Sequence, residues 1–75
     1  MKVTVFEKTE PTLKEAQNLV GGYVERLALE NGDVLLVNEE GRFLPLELNT
    51  EASKLVGIPI VGNVVVVKKE VLKNW

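Results

Sequence analysis

The chain has no cysteine and no histidine, and these two gaps exclude more chemistry than any residue present suggests. Without cysteine there is no thiol nucleophile, no disulfide and no thiolate for structural zinc. Without histidine, the side chain that most often moves protons near neutral pH is missing. Most familiar catalytic constellations are out of reach, so the sequence predicts a protein that is not an enzyme and that carries neither metal nor cofactor. Aromatic residues are scarce, and Arg26 and Arg42 are the only guanidinium groups. Nine Lys and Arg against eleven Asp and Glu leave a formal charge of -2, without the basic excess that duplex nucleic acid demands. No apolar run is long enough to cross a bilayer, and no charged-then-apolar leader opens the chain. The expectation is a cytoplasmic protein with no membrane contact, which the lack of cysteine fits.

What is there reads as one folded unit. Seventy-five residues lie near the lower limit at which one hydrophobic core sustains a monomer, so association between copies is expected. "MKVTVFE" alternates as a half-buried strand does. In "KTEPTLKEAQNLVGG", Thr12 and Glu15 have the spacing of a capping box, Leu13, Ala16, Leu19 and Val20 share one face, and glycines close the helix. Tyr23–Leu29 and "DVLLVN" flank Asn31-Gly32, two residues tolerant of positive φ, as the arms of a hairpin. "NEEG" suggests a type I turn closed by a left-handed Gly41, after which Arg42–Leu46 returns as a short strand that Pro45 confines to an edge. Asn49 or Thr50 caps a second helix ended by Gly57 and Pro59. "IPIVGNVVVV" is apolar on both faces, as an interior strand covered on both sides would be. The sum is a small single α+β domain over residues 1–67, in the order β-α-β-β-(β)-α-β. Its sheet is mixed or antiparallel, with two short helices on one face and the strand order left open. The second face is then covered by residues 68–75, a tail with the spacing of a short helix in an oligomer contact, or by another subunit. Trp75 is expected to pack, within the chain or across an interface.

Several residues have a chemical and a plain reading side by side. Gly21 and Gly22 can bring bare backbone N–H groups to a ligand, but a double glycine after a helix is more commonly its cap. Tyr23 can stack on a base or fill an ordinary strand position. Arg26 and Arg42 suit phosphates and the edge of guanine, or pair on the surface with Glu25, Glu39 or Glu40. Asn38 and Asn49 can read a base edge or cap local backbone, the cap being favoured for Asn49. Asn63 in the valine run needs partners, in a cavity or at an interface, and Gly62 beside it marks a bulge or a close approach. Glu39 and Glu40, adjacent on a turn, point apart and make a poor carboxylate pair for catalysis.

From "LVGGY" through "NGDVLLVNEEG" and "LNTEASKL" to "PIVG", the chain resembles a widespread family of very small proteins carried by bacteriophages and mobile elements of Gram-positive bacteria. It also resembles the viral anti-CBASS sponges, which oligomerise and sequester cyclic nucleotide immune signals such as cyclic GMP-AMP. That resemblance implies a homo-oligomer binding a guanine-containing cyclic nucleotide, stoichiometrically and without turnover. It implies Tyr23 on a base, Arg26 and Arg42 on phosphate or guanine, and Asn38, Glu40 and Asn49 on polar edges, with Gly21, Gly22 and Gly41 where backbone meets ligand. The rival expectation is a protein-interaction module that inhibits a host protein through its hairpin and the Trp75 tail.

Overall fold

The computed structural model describes all residues, Met1–Trp75. Four strands, β1 (Val3–Phe6), β2 (Val24–Ala28), β3 (Val34–Asn38) and β4 (Val64–Val67), form one sheet in the order β1-β4-β3-β2. β1 runs parallel to β4 while β2–β3 and β3–β4 are antiparallel, so the sheet is mixed. Two helices, α1 (Leu13–Val20) and α2 (Thr50–Val56), complete the α+β domain.

Local chemistry accounts for each boundary. At the start of α1 the Thr12 hydroxyl accepts from the Glu15 N–H, and the Glu15 carboxylate accepts from the Thr12 N–H at 2.8 Å, so the capping box is complete. Gly21 ends that helix at φ 84° and Gly57 ends α2 at φ 79°, left-handed conformations that suit glycine. In the hairpin only Gly32 takes a positive φ; Asn31 instead accepts from the Asp33 N–H through its side chain. Gly41 departs from expectation. It does not take a positive φ, but opens a 3-10 turn over Gly41–Phe43, buried with its Cα so close to Val61 that an added Cβ would lie 3.0 Å from Val61 Cγ2. The chain that follows, where the sequence predicts an edge strand over Arg42–Leu46, contributes only one isolated antiparallel bridge, Leu48 to Val61, outside the four strands.

The two helices lie on opposite faces of the sheet, not on one. Alternation divides β3 and β4 cleanly: Val34, Leu36, Val65 and Val67 pack with Ala16 and Val20 of α1, while Leu35, Val37, Val64 and Val66 pack with Ala52 of α2 and Ile60. Every residue of both central strands is buried, and the second face needs no other subunit to cover it. The tail joins the α1 side, where Val71, Leu72 and Trp75 pack within the chain against that core and the indole Nε1 donates to the Pro11 carbonyl at 2.8 Å. Only a 3-10 turn, Lys69–Val71, forms there in place of a helix.

Asn63 is exposed at the mouth of β4, not inside it, and its side-chain oxygen accepts from the Lys2 N–H at 2.9 Å. Gly62 before it is buried at φ 81°, with Leu46 Cδ1 3.0 Å from where a Cβ would stand. The leucine methyl can yield but the backbone cannot, so Gly62→Ala should cost about 1–2 kcal/mol, mostly from the left-handed conformation. A shifted urea midpoint at unchanged slope would report it.

Candidate functional site

The expected site residues do not converge on one pocket within the chain. Asn49 is buried as the α2 cap. Its Oδ1 accepts from the Ala52 N–H, and its Nδ2 donates to the carbonyls of Gly62 at 2.8 Å and Lys2 at 3.1 Å. Those bonds occupy both amide protons, so the residue is structural. Asn38, also buried, donates to the Val20 carbonyl and accepts from the Glu40 N–H, fastening the end of β3 to the end of α1. Gly22 sits against that amide, 3.2 Å from Asn38 Nδ2 to the position of a Cβ. Arg26 points to the α1 side, where its Nη2 donates to the Trp75 carbonyl at 3.3 Å.

Tyr23, Glu40, Gly21 and Gly22 do come together, with Gln17 and Asn18, around a shallow recess of about 430 Å³ at the end of α1. Tyr23 is 68% exposed there. The electrostatics are acidic: the helix presents its carbonyl end, no basic residue lies in its last turn, and Glu40 adds a carboxylate. Such a recess suits hydrogen-bond donors and repels phosphate.

Arg42 lies across the turn, in a different concavity of about 280 Å³ on the α2 side. Its floor is apolar, Leu27, Val37 and Ile60, and its rim carries Glu25, Glu39 and Arg42. A second depression of about 250 Å³, which also uses Leu27 and Ile58, continues it toward Leu29, Glu30 and Leu55. Together they make a groove between β2 and the segment after α2. The left-handed Gly57 and the rigid Pro59 hold Ile58 out on its wall, 55% exposed, and Leu55 is 48% exposed beside it. Sequence reasoning missed this groove; the signal was apolar Leu55 and Ile58 on either side of a helix-ending glycine. The chain's ion pair, Lys68 with Asp33 at 2.9 Å, is elsewhere, so the groove's three glutamates and Arg42 are in no salt bridge.

A polar clasp holds the tail. Asp33, almost fully buried, accepts from Lys68 Nζ, from the Lys69 N–H at 2.8 Å and from Asn31 Nδ2. The Lys68 ammonium, then the Lys69 N–H, hold its carboxyl below the usual range, and Asp33 in turn raises Lys68. Glu10 accepts from the backbone N–H groups of Lys73, Asn74 and Trp75, and these, the Lys73 bond foremost, lower its pKa. No three acidic side chains gather in an arrangement that could hold a metal ion.

Residues 1–72 match the model of the family described as DUF3846, domain of unknown function. The chain belongs to that family. DUF3846 therefore supplies a lineage for the fold but no activity, and the groove and recess must be judged on their own chemistry. No curated protein and no solved structure matches this DUF3846 chain, so its likeness to nucleotide sponges finds no support there. No helix of the domain is long and apolar enough to cross a membrane.

Proposed function

We propose that the chain is a cytoplasmic, non-catalytic binding protein that captures an extended segment of another protein along β2 and the groove beside it. The observation that carries this reading is the conjunction of an open strand edge with an apolar groove whose rim charges are unpaired within the chain. Tyr23 bonds to Glu39, and Leu29 to Asp33, across the hairpin. By alternation, the N–H and C=O groups of Val24, Arg26 and Ala28 face outward, where an added strand would use them. Leu27, Leu55 and Ile58 would receive its apolar side chains, and Glu25, Glu30 and Glu39 outnumber Arg42 on the rim. The fitting segment therefore alternates apolar residues with lysine or arginine.

A second reading, sequestration of a guanine-containing cyclic nucleotide, is favoured by one feature: Tyr23 stands exposed beside Glu40, whose carboxylate could accept from the N1 and N2 donors of guanine. Against it, neither arginine reaches that recess, so within one chain the phosphates would lack a cation.

Backbone amide shifts tell the two apart. A synthetic peptide alternating valine with lysine should move the amides of Val24–Ala28 and Leu55–Val61, the same peptide with glutamate should not, and Leu27→Asp should abolish the shifts. Shifts confined to Tyr23 and Glu40 on adding cyclic GMP-AMP, lost in Tyr23→Ala, would instead establish the nucleotide reading.

A further inference from the structure

The other edge of the sheet belongs to β1, and its composition differs sharply from that of β2. Val3, Thr4, Val5 and Phe6 are β-branched or aromatic and include no charge and no proline. Apart from its shortness, it carries none of the devices that keep natural edge strands apart. Val64 donates to the Lys2 carbonyl and Lys68 to the Phe6 carbonyl, so alternate residues Lys2, Thr4 and Phe6 face β4 and the backbone of Val3 and Val5 faces outward. Val5 is 50% exposed on that edge.

We propose that two copies of this chain pair antiparallel along β1, Thr4 against Thr4, to make one continuous sheet with four strands from each copy. The inference is independent of what the β2 groove binds. A two-fold axis perpendicular to the sheet keeps each side chain opposite a residue on its own face, so a self-pairing must be centred on one residue of the strand. Centred on Val5, the pairing sets Lys2 against Lys8 and Val3 against Glu7. Centred on Val3, it leaves Phe6 outside the overlap, and centred on Phe6 it sets Val5 against Glu7 and Thr4 against Lys8, beyond the strand. Centred on Thr4, Val3 and Val5 of opposite copies exchange their free N–H and C=O groups, Lys2 lies opposite Phe6, and no like charges face each other. The edge is thus complementary to itself in one register. β2 is not equivalent, because it carries Glu25 and Arg26, charges of the kind that natural edge strands use against self-pairing. A dimer built on β1 leaves both β2 edges free at its ends.

Sedimentation equilibrium should find a dimer for the wild-type chain. Val5→Pro removes an N–H that β4 does not use, so it should give a monomer with an unchanged circular dichroism spectrum. Val5→Lys, which places charges on the edge without touching the backbone, should do the same. Because the chain has no cysteine, Thr4→Cys is a clean reporter of register. Facing residues of a non-hydrogen-bonded antiparallel pair have Cα atoms about 4.5 Å apart, within disulfide range, so this variant should cross-link on mild oxidation while Glu51→Cys on α2 does not. A monomer at the highest soluble concentration would overturn the proposal. So would a dimer that survives both Val5 substitutions and that Thr4→Cys fails to cross-link.

Discussion

Asn49→Asp should destabilise the fold as much as Asn49→Ala, by about 3 kcal/mol in each case. At most helix starts the two residues are interchangeable, because only the side-chain oxygen is used and aspartate supplies one equally well. Here the other half of the amide is also committed, with Nδ2 donating to the carbonyls of Lys2 and Gly62 and the side chain almost wholly out of water. Alanine loses the cap, worth about 1 kcal/mol, and leaves two carbonyls short of a donor. Aspartate keeps the cap but points a second oxygen at those carbonyls, replacing attraction with repulsion in a dry site. Urea denaturation of the two variants beside wild type checks this. An aspartate variant as stable as wild type would mean that the amide protons contribute nothing, and the residue would be free for another role.

Asp33→Ala should cost about 2–3 kcal/mol, whereas Lys68→Met should cost under about 1 kcal/mol. Both remove the same ion pair, but the lysine is more than a third exposed and its attraction is screened, while the aspartate also holds the Lys69 N–H and the Asn31 amide. The bonds to the buried carboxylate decide the comparison, not the pairing of charges. The pH dependence follows the same logic. The folded-state pKa of Asp33 lies below its unfolded value, so its contribution is whole above about pH 4 and is lost as pH falls through the folded value. Glu10, lowered by the tail's N–H groups, acts in the same direction. Lys68 is raised, so its share is whole below about pH 10 and is lost as pH climbs through its folded value. Thermal melts should therefore show a plateau from about pH 5 to 9 for these groups, with an acid limb that is shallower in Asp33→Ala.

Much of this fold was legible because its signals are local. The Thr12–Glu15 capping box, the Asn49 cap, the closing glycines Gly21 and Gly57 and the hairpin at Gly32 each depend on a few adjacent residues, and each stands where the pattern puts it. The placement of α2 was the main failure. β3 is as apolar on both faces as β4, and two central strands of that kind require a cover on each side, which a helix on either face supplies. Asp33 and Glu10 escaped notice because most of their partners lie 35 or more residues away and are largely backbone N–H groups, which no side-chain pattern announces. Of the candidate ligand residues, Tyr23 and Glu40 could be foreseen as neighbours because the hairpin register joins Tyr23 to Glu39. The separation of Arg26 from Arg42 could not, since it follows from which face of the sheet each occupies.

The parallel pairing of β1 with β4 joins Val3 to Val64 across 61 residues of chain. The hairpin of β2 and β3 can close over a short loop in microseconds, and β4 can then add beside β3, but β1 has no partner until β4 is in place. By then the loop left to close is only the segment between Phe6 and Val24, which carries α1. During synthesis the first strand leaves the ribosome with its valines bare and waits until β4 has followed it. Val-Thr-Val-Phe, an uncharged run of high β-propensity, is thus an aggregation-prone stretch that is also the last of the four strands to find its partner.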